Sequence, residues 1–288
     1  MDTPDTVSWG FSQALTGARF VEWCLRDFGL RVPPDNRTRR AAEIVQVATQ
    51  TTWEDMSLEY RQELSLAVKT ILEQYLIVRA IHEPSDALKE RLRWLLEGNV
   101  CPGRKSKTQP YDVQFELFAG ATLMHAGIQG IRLEEPDWRI PAGDREVGIA
   151  AKRVSSRNNF TKLVRKAVSQ IRGHGGSGVI VLNLDRLVTE GPSEASTKVT
   201  ALVKEARQLV ASLQAEEAVF CLFGFATSFH VLPSPDGGIL SSELFTHGEV
   251  IEPDLTNAAK IKAWFHMLGG NIMRSVSGAM QEMPNLAG

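Results

Sequence analysis

Gly148-Ile149-Ala150-Ala151-Lys152-Arg153, read together with Glu135-Pro136-Asp137-Trp138 upstream, decides how this chain is organised. Ala142-Gly143-Asp144 between them has turn chemistry, so Trp138–Pro141 and Val147–Val154 predict a hairpin. Strand alternation puts Ala150 and Lys152 on one face, two residues apart, and a residue of the partner strand such as Asp137 can face them. Downstream, Asn158–Arg172 predicts an amphipathic helix and Val179–Leu184 a central strand covered on both faces. Thr197–Ala215 reads as helix, Ala218–Phe225 as a second buried strand, Phe229–Leu232 as a short one and Leu255–Met280 as a closing helix. Upstream, Asp112–Ala126 is a helix ended by Gly127, and Ile128–Leu133 reads as a strand. This order predicts an α/β fold, with a mixed central sheet flanked by helices.

The first hundred residues carry a different pattern. Phe11–Phe28, Thr38–Gln50, Ser57–Ile81 and Ala87–Leu96 have apolar residues at helical spacing, separated by Pro33-Pro34-Asp35-Asn36 and by His82-Glu83-Pro84-Ser85-Asp86. Gly98 to Lys107 is rich in helix breakers and positive charge and reads as a boundary. The expected division is an all-helical N-terminal domain over 1–105 and the α/β domain over 106–288.

Composition narrows the function classes. Lys and Arg number 32 against 34 Asp and Glu, a net charge of −2, which excludes a generally basic binder but not a local basic surface. The apolar runs are far too short to span a bilayer, and Met1–Ser8 has no leader character, so a soluble cytoplasmic protein without membrane contact is expected. Cys24, Cys101 and Cys221 form neither a zinc pattern nor a disulfide framework, and the six histidines never come at ligand spacing. Gly173–Gly178 lacks the Gly-Lys-Ser/Thr ending of a phosphate loop and follows a helix, so it reads as a connector.

Glu116 in Phe115-Glu116-Leu117-Phe118, the Pro136-Asp137 pair, the strand ending in Lys152-Arg153 and the next helix bearing Gln170 occur in one succession. That succession, over roughly Tyr111 to Phe225, resembles the PD-(D/E)xK nuclease superfamily and its restriction-endonuclease-like fold. The resemblance implies a DNA endonuclease dependent on Mg2+ or Mn2+. Asp137 and the Ala151 backbone carbonyl would be metal ligands, Lys152 the catalytic lysine, Glu116 a helix carboxylate binding or orienting the metal shell, and Gln170 a helper near substrate. The chemistry needs such a set because a hard cation held by carboxylates generates the nucleophile and neutralises the scissile phosphate. Bacterial proteins that look like this often belong to restriction or anti-phage systems.

Position 150 departs from the family pattern, which places Asp or Glu there. The chain has Ala150, and no Asp or Glu occurs between Val147 and Leu184 to take its place. Glu146 shares the face but lies about 13 Å away at strand spacing. Hydrolysis is therefore expected to be badly impaired. Two explanations stay open: an inactivated form of a nuclease, or a degenerate member that binds nucleic acid or acts as a scaffold.

Lys152, Arg153, Arg157, Lys162, Arg165, Lys166 and Arg172 follow one another without an intervening carboxylate, the footprint of phosphate-backbone contact. Of these, Arg153, Arg157, Lys162, Arg165 and Lys166 are the candidate nucleic-acid contacts. Arg37, Arg39, Arg40, Arg104, Lys105 and Lys107 are candidates to extend that surface. Each residue taken alone has a plainer role: Asp137 a turn carboxylate, Lys152-Arg153 an edge guard, Lys162–Arg172 the wet face of a helix. The helical half has three roles open to it: reading DNA, holding a partner such as a helicase or ATPase, or self-association into a homo-oligomer.

Overall fold

Phe160, Val164, Ala167, Val168 and Ile171 recur at helical spacing and are all buried, which makes helix Arg157–Gly173 the inner cover of a sheet. The computed structural model describes residues 7–101, 108–125, 128–134, 136–142, 145–174, 177–188, 192–232 and 239–251. The chain divides into two compact units, one holding Asp5–Thr122 and Phe229–Ser242, the other Leu123–Ser228 and Glu243–Ile272.

In the first unit, strand β1 (Val7–Gly10) leads into α1 (Phe11–Asp27), α2 (Arg37–Ala48), α3 (Leu58–Ala80), α4 (Asp86–Arg93) and most of α5 (Gln109–His125). Asn36, Ser57 and Ser85 cap α2, α3 and α4 by accepting from the backbone N–H three residues on, as short polar residues at helix starts do. Phe11, Val21 and Leu25 pack with Ala41, Val45, Leu64, Val68, Ile71 and Tyr75 among the unit's buried residues. Two polar bonds cross this core: the Thr38 hydroxyl donates to Gln74 Oε1 at 2.7 Å, and Gln74 Nε2 donates to the Leu95 carbonyl at 2.7 Å. β1 pairs antiparallel with Ile239–Ser242.

The second unit is α/β. Its strands β2 (Trp138–Ala142), β3 (Arg145–Arg153) and β4 (Ser177–Asn183), with most of β5 (Val219–Leu232) and of β6 (Ile239–Val250), lie in the order β6-β5-β4-β3-β2. β2 and β3 pair antiparallel, with Trp138 opposite Ile149, while β3–β4 and β4–β5 are parallel, so the sheet is mixed. Helices α6 (Arg157–Gly173) and α7 (Pro192–Ser212) make the crossovers from β3 to β4 and from β4 to β5. Both pack on one apolar layer that includes Ala150, Ile180, Leu182 and Leu222. β4 is buried along nearly its whole length, as its unbroken apolar sequence requires.

Several expectations change. Ile128–Leu133 is no strand, because only Arg132 pairs, by one bridge to Arg139. Ala218–Phe225 and Phe229–Leu232 join into the single β5, since pairing continues across residues whose apolar pattern lapses. β1 and β6 are strands that periodicity alone did not signal; β1 is set by pairing with the distant Ile239–Ser242, and β6 lies between β1 and β5. α7 begins five residues earlier than its apolar pattern, at Pro192, where a proline fits a helix start. The Gly143-Asp144 turn, the Gly175-Gly176 connector and the Leu255–Met280 helix lie outside the described residues.

Gly148 is where the backbone of β3 lets another segment come close. A Cβ there would lie 2.7 Å from Pro136 Cδ and 2.9 Å from Pro136 Cγ. Gly148→Ala is therefore expected to push Pro136 away and destabilise the protein by about 1–3 kcal/mol, the range for overpacking a tight contact. Denaturant unfolding with an unchanged m-value checks this; stability equal to that of the parent protein refutes the close-contact role.

Candidate functional site

Asp137 stands just before β2, directly after the proline that Gly148 accommodates, and Lys152 stands near the end of β3. Both side chains are buried, with 4% and 6% of their surface exposed. Asp137 Oδ2 accepts two hydrogen bonds, one from the Ala151 backbone N–H at 2.7 Å and one from Lys152 Nζ at 2.7 Å. Lys152 Nζ also donates to the Ala151 carbonyl at 3.0 Å. One carboxylate oxygen thus receives a backbone donor and an ammonium at once, a charge-assisted arrangement stronger than a neutral hydrogen bond. Gln170, on the last turns of α6, donates from Nε2 to the Pro136 carbonyl at 3.1 Å, fixing the residue before Asp137 from the helix side.

Ala150 is fully buried and belongs to the apolar layer beneath α6 and α7. Its register partner in β4 is Ile180, and that of Lys152 is Leu182. Position 150 therefore contributes a methyl group to the core. Glu116 lies on α5 in the helical unit, where its carboxylate accepts from Arg91 Nη1 at 2.8 Å. The structure thus brings Asp137, Lys152, Ala151 and Gln170 together, while Glu116 is engaged within the other unit.

As they stand, the described donors of this unit do not fit a divalent ion, because a lysine ammonium already holds them. Mg2+ and Mn2+ take oxygen ligands, commonly one or two carboxylates with waters completing the shell. Within this unit the Asp137 carboxylate and the Ala151 carbonyl both already bind the same ammonium.

The basic stripe is thinner than the sequence suggested. Lys152 is consumed by Asp137, and Arg157 pairs with Glu205 at 2.5 Å while lying over the Phe160 ring. Arg172 donates to the carbonyls of Leu213 and Gln214. Arg153 is half-buried. Lys162, Arg165 and Lys166 remain on the outer face of α6, exposed, and among the described residues none is paired with a carboxylate. Arg37, Arg39 and Arg40, in the helical unit, are engaged there. Arg37 is completely buried with its guanidinium 5.0 Å from the Tyr111 ring centroid, and Arg40 donates to the Asp35 and Gly98 carbonyls. Arg39 binds Glu22 at 2.7 Å. Burial of Glu22 opposes its charge, but bonds from Asn36, Arg39 and Arg26 outweigh it and hold the carboxyl below the usual range. Arg104, Lys105 and Lys107 lie outside the described residues.

Two features escaped the sequence. Arg91 as the partner of Glu116 lies 25 positions away and carries no local signal. Asn183, buried at the end of β4, accepts from the Asp185 N–H at 3.1 Å and donates to Asp185 Oδ2 at 2.9 Å. The amide inside the apolar run Val179–Leu184 was its visible sign. The cysteines offer no nucleophile: burial pushes Cys24 and Cys221 up to about 12 and Cys101 up to about 11.

Compared with models of known protein families, with curated proteins and with solved structures, the chain matches none. Among the described residues no helix is long and apolar enough to cross a membrane.

Lys152→Ala leaves the Asp137 carboxylate buried without its counter-charge. A loss of about 3–5 kcal/mol is expected, the usual cost of breaking a buried ion pair from one side. Chemical denaturation measures it, and a loss below about 1 kcal/mol, typical of surface pairs, contradicts the buried-pair description.

Proposed function

We propose that the α/β unit is a nuclease-type domain of the PD-(D/E)xK kind that engages the DNA phosphate backbone, and that the chain as it stands binds without cutting. The observation that carries this is the meeting of Asp137 and Lys152 at 2.7 Å where β2 begins and β3 ends, with Gln170 of the following helix held to Pro136. A carboxylate, a lysine and a glutamine held close together support the reading that the resemblance suggested. The side chain of Ala150 supplies no oxygen where the family carries its second acid, so no hydrolytic step is assigned to this chain.

Binding is assigned to the outer face of α6. Lys162 and Lys166 stand one turn apart, about 6 Å along the axis, with Arg165 beside them. Exposed cations without carboxylate partners can exchange their counter-ions for phosphates, which gives affinity without sequence preference.

Two measurements test the proposal. Replacing Lys162, Arg165 and Lys166 together by Gln should weaken binding to a DNA duplex and lower the slope of log affinity against log salt by about three. An unchanged affinity and slope removes α6 from the interface, and failure of the parent protein to bind DNA at low salt removes the nucleic-acid role altogether. Ala150→Glu, with Ala150→Asp as the smaller companion, is expected to confer Mg2+-dependent nicking of plasmid DNA that Lys152→Ala abolishes. Retained binding without nicking in both folded variants favours a non-catalytic nucleic-acid-binding protein on the same scaffold.

A further inference from the structure

The two groups that a divalent ion would use here, the Asp137 carboxylate and the Ala151 carbonyl, converge on one atom of the protein itself, Lys152 Nζ, at 2.7 and 3.0 Å. The ammonium is buried, and the Ala151 N–H adds a third tie by binding the same carboxylate oxygen. An ion entering this spot would have to displace the ammonium and separate the pair while gaining no second side-chain carboxylate from position 150. The exchange is uphill unless another acid compensates, because the lysine would lose its counter-charge in a place that water barely reaches.

We infer that Lys152 is the resident cation of this site: its ammonium fills the place of a divalent metal, and the unit engages a phosphate backbone independently of metal. The lysine then acts as a positioning residue that holds the start of β2 against the end of β3, and the charge offered to phosphate comes from α6. The metal-independent contact with phosphate rests on the proposed nucleic-acid role, whereas the occupation of the site by Lys152 does not.

Mn2+ titration of the full chain, followed by paramagnetic broadening of the Ala151 amide resonance, separates the two. In the parent protein that resonance is expected to keep its intensity as Mn2+ is added. In Lys152→Met, where both oxygens lose the ammonium, Mn2+ is expected to broaden it. Saturable broadening in the parent protein overturns the inference, as does a folded Lys152→Met variant that Mn2+ leaves unaffected; should that variant not fold, the parent titration decides. DNA affinity measured in EDTA and in MgCl2 at matched ionic strength is expected to be the same. Affinity that appears only with Mg2+ overturns metal independence. No affinity in either buffer, with the Ala151 resonance unbroadened, overturns the nucleic-acid role and leaves the assignment of the resident cation standing.

Discussion

An ammonium and a carboxylate are held together at 2.7 Å where almost no solvent reaches either, and much of the α/β unit is arranged so that they can be. Removing two charges from water is costly, and their attraction repays the cost only where geometry is good and further hydrogen bonds are made. Both conditions are met: Asp137 Oδ2 also accepts from the Ala151 N–H, and Lys152 also donates to the Ala151 carbonyl. Gly148 and Gln170 supply the rest. The missing side chain of the glycine lets Pro136 approach β3, and the amide of α6 holds the Pro136 carbonyl. Weakening any of these would leave a buried charge imperfectly paired.

The same pair separates two functions that the sequence had run together. A row of seven cations looked like one phosphate-binding stripe, yet the fold spends Lys152 on Asp137, Arg157 on Glu205 and Arg172 on backbone carbonyls. What remains for a polyanion is a short patch on α6. The proposed DNA contact thus stands apart from the buried Asp137–Lys152 pair, which suits a unit that holds a backbone without attacking it.

In the helical unit, polar bonds cross the core in a comparable way. Glu22 gathers Arg26, Arg39 and Asn36 around one carboxylate, and Thr38, Gln74 and the Leu95 carbonyl form a chain linking α2, α3 and the turn after α4. Each buried polar atom in these bonds has a partner in a defined direction, and such bonds fix the relative placement of helices that apolar contacts alone would leave freer.

Periodicity in the sequence determined the long helices of the first unit, the hairpin of β2 and β3, the buried strand β4 and the helices that follow β3 and β4, because amphipathic spacing and unbroken apolar runs are local properties. It also marked Asp137 as a residue that can face Lys152 across the hairpin, and it showed that position 150 has no acid. It was silent on β1, whose partner lies far along the chain, and on β6, which lies between β1 and β5, and it overstated Ile128–Leu133, where a single bridge forms. Only the tertiary structure decided that Lys152 and Ala151 would both bind Asp137, that Ala150 would sit in the apolar layer, that Glu116 would pair with Arg91, and that three of the exposed cations of α6 would have no carboxylate or carbonyl partner among the described residues. Those outcomes depend on which groups burial brings within bonding distance, and a linear pattern of charge carries no record of that.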